Sequence, residues 1–354
     1  MLFVKDLSIH GPSGPIVKNI SFKIKKGQCL ALVGESGSGK SMIALTMMGL
    51  LPPQLNASDY SESNKVKAVK KAMIFQEPMS SLNPTMRVGE QIMEGAMTSL
   101  KLTKPQAKEE AIMWIDKVKI KNAKTAFLKY PHQLSGGERQ RVMIAMAMIM
   151  QPELLIADEP TTALDQRVAD DILSLIHDLQ IEKQVSLLFI SHDIDVVKRI
   201  SNDIMVIHKG REVESGKTSE VLLSPQMAYT KGLLAARPPK DKKPYRLSTI
   251  DDFMDNKVYR KSEKLQTSIG SVILEVKNLE KYYSKKLILN NISLELREGE
   301  TLGLVGPSGS GKSTLGKCIV NLEPVSGGEI KYRGRRIEKM NSIEKKRLAK
   351  EIQY

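Results

Sequence analysis

Hydrophobic positions fall into two rhythms along this chain. Short continuous apolar runs at residues 29–33, 154–157 and 185–190 sit between stretches rich in Gly, Pro and charge. Runs of this length predict buried strands of an open α/β sheet. Residues 71–75 predict a further strand, and residues 204–216 a hairpin turning at Lys209-Gly210. Between residues 88 and 130 the period lengthens: Met93, Met97, Trp114, Ile115 and Val118 recur at helical spacing, which predicts helices whose apolar stripe is core. The longest apolar run, residues 142–150, is flanked by Arg141 and Gln151. It is far shorter than the ~18 residues a membrane-spanning helix needs. The first 41 residues read as strand, turn, strand, strand, and then a Gly-rich loop that opens a helix.

That loop is the first candidate for chemistry. The apolar run 29–33 passes directly into G-E-S-G-S-G-K-S at residues 34–41 and then into M-I-A-L-T-M-M. The spacing G-x(4)-G-K-[S/T] between a strand and a helix is a phosphate-binding signature. Backbone at Gly34, Ser36, Gly37 and Gly39 can wrap a β-phosphate, Lys40 can neutralise the β/γ charge, and the Ser41 hydroxyl can reach Mg²⁺. A Gly-rich turn alone could imitate these eight residues. The flanking strand and helix, and the acids downstream, argue against it.

Residues 154–157 deliver two adjacent carboxylates, Asp158 and Glu159, to the C-terminal edge of a strand, where open α/β sheets hold ligands. One can hold a metal while the other orients water. Ser135-Gly136-Gly137, ahead of a helix, offers free N–H groups and a positive dipole end to an anion. Gln76 follows the strand at 71–75, and His192 follows the apolar run ending at residue 190. In isolation, a glutamine after a strand is usually a surface residue and a histidine usually structural.

The front of the chain recurs at a constant offset. Val4-Lys5-Asp6-Leu7 matches Val276-Lys277-Asn278-Leu279, and residues 34–41 match residues 306–313, both displaced by 272 positions. This means two copies of one fold rather than a solenoid, whose period is an order of magnitude shorter. The second loop supplies Gly306, Ser308, Gly309, Gly311, Lys312 and Ser313, with Thr314 where the first copy has Met42.

L-S-G-G-E-R-Q-R at residues 134–141 followed by L-L-I-A-D-E-P-T-T-A-L-D at 154–165 resembles the signature motif, Walker B strand and D-loop of ATP-binding cassette (ABC) ATPases. The resemblance implies an α/β P-loop NTPase of the ABC type: a RecA-like core, an antiparallel β subdomain and a helical subdomain, followed by the N-terminal part of a second copy. It places a first domain at 1–236, a linker at 237–270 and a second, incomplete domain at 271–354. It makes Gln76 the Q-loop glutamine and His192 the switch histidine. Glu159 would polarise water, and Ser41, Gln76, Asp158 and, in copy two, Ser313 would serve Mg²⁺. Ser135, Gly136 and Gly137 would contact an ATP held across a head-to-tail cassette interface, within this chain the one on Lys312. In the family an aromatic ring stacks on adenine; Tyr283 fits in copy two, whereas copy one has His10-Gly11.

F-Q-E-P-M-S-S-L-N-P, Y-P-H-Q-L-S-G-G-E-R-Q-R-V-M-I-A-M-A and the tail S-P-Q-M-A-Y-T-K-G-L-L-A-A-R-P-P are similar to ATPases of peptide-type importers, especially fused double-cassette subunits. The implied partners are integral-membrane permease subunits, a solute-binding protein and a second cassette in cis or in trans. The implied location is peripheral, on the cytoplasmic face of the inner membrane. Many such tails bind an iron–sulfur centre through cysteines; residues 224–239 contain none, so that cofactor is not expected.

Composition changes this picture little. The N-terminus lacks the basic and apolar regions of a secretion signal, and Cys29 and Cys318 suggest neither pairing nor metal binding. The net charge of +14 could indicate nucleic acid, but residues 331–354 alone contribute nine Lys/Arg against three acids, and no nucleic-acid partner is expected. A soluble double-cassette protein acting on ribosomes or DNA would carry a long charged helical insertion or zinc-binding cysteines. A third alternative is a nucleotide-binding remnant, because no second signature, Walker B pair or switch histidine follows the second loop. Residues 350–354 read as a strand entering a second Q-loop, and residues 51–71 as an abbreviated edge of the first copy.

Overall fold

The computed structural model describes residues 2–58, 61–62, 69–77, 81–162, 164–237, 248–254, 269–307 and 309–354. Within it, β3 (Cys29–Val33), β7 (Leu154–Asp158) and β8 (Ser186–Ile190) are buried at every position. The period-two geometry of a strand explains why such runs are apolar throughout. Cys29, Ala31, Val33, Leu155, Ala157, Leu187 and Phe189 face one hydrophobic cluster, while Leu30, Leu32, Leu154, Ile156, Leu188 and Ile190 face another.

With β6 (Lys71–Ile74), β9 (Asp203–His208) and β10 (Arg211–Lys217), these strands form a six-stranded sheet in the order β10-β9-β3-β8-β7-β6. Its pairings are parallel except β9–β10. That hairpin turns where expected, with Lys209 and Gly210 both at positive φ, 47° and 75°, as a two-residue turn between twisted strands requires. α1 (Lys40–Met48) packs on one face through Ile43, Ala44 and Met47. The other face is covered by α5 (Gly136–Ile149) and α6 (Gln166–Lys183).

The helical segment forms α2 (Val88–Leu100), α3 (Lys104–Lys117) and α4 (Ala123–Phe127). Of the expected stripe, Met93, Trp114, Ile115 and Val118 are buried, but Met97 is 42 % exposed. Ile92, Met93 and Ala96 already turn the apolar face of α2 inward, and Met97 lies beside it at the boundary with solvent.

A separate antiparallel sheet sets β1 (Leu2–Gly11) between β2 (Gly14–Ile24) and two short edge strands, β4 (Asn56–Ser58) and β5 (Ser61–Glu62). Among the described residues of the stretch 51–71, two pieces pair with different parts of β1; residues 59–60 and 63–68 lie outside the described residues.

The chain divides into two compact units, Met1–Ser262 and Glu263–Tyr354. The stretch expected to be linker contains α10 (Ile250–Met254), which packs on α9 (Ala228–Ala235). The bare Cα of Gly232 permits this, since a Cβ there would lie 3.0 Å from the Ile250 Cα. Residues 238–247 and 255–268 of that stretch lie outside the described residues. Between β10 and α9 lies α8 (Thr218–Leu223), and α7 (Ile194–Ile200) follows β8.

The second unit repeats the antiparallel sheet, with β11 (Val272–Tyr283) between β12 (Lys286–Arg297) and β13 (Gly327–Tyr332), and β14 (Arg335–Arg336) on the outside. The repeat extends to local irregularities. Asp6 and Asn278 have φ of 59° and 44°, and Asn19 and Asn291 have φ of 54° and 51°. Asp6 N–H donates to Ser21 Oγ at 2.8 Å, and Asn278 N–H to Ser293 Oγ at 2.9 Å.

Residues 350–354 are not a strand. Lys350 belongs to α12 (Ser342–Glu351), and Ile352, although extended, has no ladder partner among the described residues. Residues 301–305, the counterpart of β3, are exposed and likewise have no ladder partner among the described residues. A parallel strand is held by its neighbours, and the described residues of this unit offer none.

Candidate functional site

The candidate residues of the first copy gather at the C-terminal ends of four adjacent strands. The phosphate loop follows β3, His192 follows β8, Asp158 and Glu159 close β7, and Gln76 follows β6. Neighbouring strands lie ~4.8 Å apart, so four strand ends span the reach of a triphosphate.

The loop is built by glycines where side chains cannot go. Gly34, Gly37 and Gly39 have φ of 153°, 80° and 99°. A Cβ on Gly34 would stand 2.1 Å from the Ile207 carbonyl oxygen, and one on Gly39 would meet Val17 at 2.8 Å. Ser36 and Gly37 are exposed on the outer turn. Lys40 is buried, and its Nζ donates to the carbonyls of Gly34 (2.9 Å) and Glu35 (2.8 Å) and to Ser38 Oγ (3.2 Å). Burial lowers its pKa, while the carboxylates of Glu159, Asp158 and Glu35 oppose the shift. The ammonium is thus aimed into its own loop, ready to exchange three neutral acceptors for phosphate oxygens. Met42, in place of the hydroxyl of copy two, packs against the apolar cluster under α1.

Asp158 is 5 % exposed. Desolvation raises its pKa; the hydrogen bond with the Ser41 side chain opposes this, the charge of Glu159 adds to it, and Lys40 offsets part. Its Oδ1 is buried without a hydrogen-bond partner. A buried carboxylate oxygen without a partner, beside a serine hydroxyl, is a donor set that fits a divalent cation.

Glu159 adopts φ of 45°, rare for a residue with a side chain. Its N–H is held by the Ile190 carbonyl at 3.0 Å, at the end of the neighbouring strand. Its Oε2 accepts from Gln76 Nε2 at 3.3 Å and from Thr162 Oγ1 at 3.0 Å, while Oε1 lies 3.2 Å from His192 Nδ1. Gln76, Glu159 and His192 therefore meet, although they lie far apart in sequence. Thr162 was missed by sequence reasoning; its place in D-E-P-T-T, three residues past Glu159, was the available signal.

Ser135 caps α5. Its Oγ accepts from Glu138 N–H at 3.3 Å, and Glu138 Oε2 accepts from the Ser135 N–H and hydroxyl, both at 2.9 Å. Gly136 and Gly137 face Leu164 and Val168, and a Cβ on Gly137 would approach Val168 to 2.5 Å. Among the described residues no hydrogen bond or ion pair joins residues 135–137 to the first phosphate loop.

In the second unit, Lys312 Nζ donates to the carbonyls of Gly306 and Pro307, both at 2.7 Å, repeating the arrangement of Lys40. Gly309 and Gly311 have φ of 78° and 95°, and α11 (Lys312–Ile319) starts at the lysine with Ser313 and Thr314 in its first turn. Ser308 lies outside the described residues. Tyr283 ends β11, is 42 % exposed and lies beneath Lys281 Nζ, 5.0 Å from its ring centroid. A Cβ on Gly311 would meet Leu289 and Ile288 of β12, so the hairpin carrying Tyr283 borders this loop.

Strand, glycine loop and helix, with acids arriving two strands away on the same sheet edge, is the arrangement of a P-loop nucleotide-binding protein. The sequence matches the ABC transporter family over residues 17–162 and 289–354, and the chain belongs to that family. It is 39 % identical over 374 residues to the glutathione import ATP-binding protein GsiA of Escherichia coli (strain K12), covering 96 % of this chain and 60 % of that protein. The namesake from Shigella dysenteriae gives the same figures. The chain thus spans 60 % of the length of these curated relatives. Among solved structures, cbiO1 from Clostridium perfringens, part of the ABC transporter complex cbiONQ, aligns with a TM-score of 0.54 and 27 % identity over 63 % of this chain and 90 % of that one. The ATP-binding cassette MJ0796, in a dimeric post-hydrolysis state with ADP and Pi, aligns with a TM-score of 0.54 over 62 % of this chain and 99 % of that one; at 24 % identity it speaks for the fold alone.

Proposed function

We propose that this chain binds and hydrolyses ATP to energise import of a peptide-like solute through integral-membrane permease subunits. A solute-binding protein would deliver the solute, and a second cassette in cis or in trans would supply the opposing signature. The observation that carries the chemistry is the meeting of Gln76 and His192 on the carboxylate of Glu159, beside Asp158, Ser41 and Lys40. The solute class rests on the tail and Q-loop motifs and on the similarity to GsiA, named for import of glutathione, itself a small peptide.

In this account the loop from Gly34 to Ser41 cradles the β-phosphate through its backbone, and Lys40 transfers its hydrogen bonds from loop carbonyls to phosphate oxygens. Asp158, Ser41 and Gln76 would hold Mg²⁺, which would supply charge neutralisation of the phosphates. Glu159, fixed by Thr162 and by its own backbone bond to β8, is positioned to polarise the attacking water. His192, on the exposed rim, is positioned to contact the γ-phosphate. Positioning and charge stabilisation account for most of phosphoryl-transfer catalysis, so preorganised side chains matter more than covalent help. The second loop, with Lys312, Ser313, Thr314 and Tyr283, is proposed as a second ATP site, and Ser135, Gly136 and Gly137 as contacts to an ATP held across a cassette interface. The domain limits 1–236, 237–270 and 271–354 remain part of this proposal, as does a peripheral position on the cytoplasmic face of the inner membrane. Among the described residues no helix is long and apolar enough to cross a membrane.

The test is affinity purification from detergent-solubilised membranes, with Glu159→Gln used to trap the ATP-bound form. Recovery with integral-membrane permease subunits, ATP binding retained and turnover lost, is the expected result. Recovery with ribosomes or nucleic acid instead would contradict it.

A further inference from the structure

The tail that follows the sheet reaches back to the phosphate loop. Tyr229, in the first turn of α9, is 2 % exposed. Its hydroxyl accepts the Glu35 N–H at 3.2 Å and donates to Glu35 Oε2 at 3.4 Å. Its ring lies against His208 at the end of β9, with centroids 4.1 Å apart, and His208 Nδ1 is 3.7 Å from the same Glu35 oxygen. The start of α9 is itself pinned, because the N–H groups of Gln226 and Met227 donate to the Glu214 carboxylate on β10 at 2.8 and 3.2 Å. Glu35 is the second residue of the phosphate loop, and its carbonyl accepts from Lys40 at 2.8 Å. Glu35 is therefore held by the tail through its N–H and by the phosphate-binding lysine through its own carbonyl and that of Gly34 before it.

The second copy supplies the comparison. The residue at the position of Glu35 is Pro307, whose carbonyl accepts from Lys312 in the same way. Proline has no N–H to offer a tyrosine, and its ring fixes φ near −65° without help. Glu35 is not among the residues at positive φ, so its backbone requires no conformation closed to proline on that account.

We propose that Tyr229 is a positioning residue for the first ATP site: through the Glu35 peptide it holds the phosphate loop in binding geometry, the constraint Pro307 provides in the second loop. This rests on the nucleotide-binding role proposed for residues 34–41. An untethered loop must be ordered when phosphate binds, and that entropy is subtracted from affinity. Loss of the hydroxyl removes hydrogen bonds that together change affinity about three- to tenfold.

The experiment is calorimetric titration of the full chain with Mg·ATP, carried out in a Lys312→Ala background so that only the first loop is read. Tyr229→Phe, which keeps the ring against His208, is expected to weaken binding three- to tenfold. In a Glu35→Pro background the same substitution is expected to change nothing. In the reciprocal Lys40→Ala background, which reads the second loop, Tyr229→Phe is expected to leave binding unchanged. Hydrogen exchange over residues 34–41 without nucleotide provides a readout independent of any loop variant, and Tyr229→Phe should accelerate it. Unchanged affinity and exchange in Tyr229→Phe would overturn the tether, as would equal weakening at both loops or an undiminished effect beside Glu35→Pro. Absence of binding by the Lys312→Ala protein itself would overturn the first nucleotide site, and the tether with it.

Discussion

Asp158 is a place where stability and binding should pull in opposite directions. Its carboxylate is 5 % exposed, keeps one oxygen without a partner, and sits next to the charge of Glu159. A buried polar group left unsatisfied costs about 1–3 kcal/mol, and a charged one more. Asp158→Asn retains an oxygen to accept from Ser41 and removes the charge. The nucleotide-free variant should therefore be more stable than the parent by about 1 kcal/mol or more, or roughly 2–4 °C in Tm per kcal/mol for a unit of this size. The sign with pH follows from the raised pKa of Asp158. The folded state holds that proton to higher pH than the unfolded chain, so its contribution favours folding less as pH rises through the interval above the unfolded value of ~3.9. The gap between variant and parent should accordingly be small near pH 4 and widen as pH rises. The assay is thermal unfolding in EDTA across that range, paired with ATP titration with and without Mg²⁺, in which the variant should lose the Mg²⁺-dependent part of its affinity. A variant less stable than the parent at neutral pH, with Mg²⁺-dependent binding intact, would refute the reasoning.

Gly210 joins the sheet to the phosphate loop: its N–H donates to the Ser38 carbonyl at 3.2 Å, and its carbonyl accepts from Lys18 N–H at 2.7 Å. At φ of 75°, with the Ile16 carbonyl oxygen 1.9 Å from where a Cβ would stand, Gly210→Ala should destabilise the first unit by about 1–3 kcal/mol and weaken ATP binding, both read from thermal shift with and without nucleotide. Cys29 and Cys318 are 1 % and 2 % exposed. Burial pushes both thiols above their usual range, with Asp203 adding to the shift at Cys29, while at Cys318 Lys281 opposes it and Glu323 adds to it. Neither should react with a disulfide reagent at pH 8 until the protein is unfolded, when both should; prompt labelling of the native chain would contradict the packing around β3 and α11.

The geometry of the two Gly-rich loops was legible because its causes are local: glycines at fixed offsets, a lysine and a hydroxyl between an apolar run and a helix. The acid pair was legible for the same reason. The repeat declared itself through a constant offset, and the structure carries it down to the left-handed asparagines at 19 and 291. What was not legible depends on neighbours remote in sequence. Met97 fits the helical stripe but falls at its solvent boundary, where only the tertiary fit decides exposure. Residues 350–354 resemble a strand by analogy with 71–75, yet a strand exists only where something pairs with it. The Tyr229–Glu35 bond spans 194 residues of chain. Nothing in the motif A-Y-T-K-G indicates that its tyrosine would end on a loop amide.

The central claim is that the loop ending in Lys40, the acids of β7, Gln76 and His192 serve one triphosphate on one sheet edge. A crystal structure of the full chain with Mg²⁺ and a non-hydrolysable ATP analogue tests this most directly. The account predicts the β-phosphate inside residues 34–41 with Lys40 turned onto it, Mg²⁺ beside Ser41 and Asp158, and the γ-phosphate within reach of Gln76 and His192. A nucleotide bound elsewhere, or a γ-phosphate remote from Glu159 and His192, would contradict it.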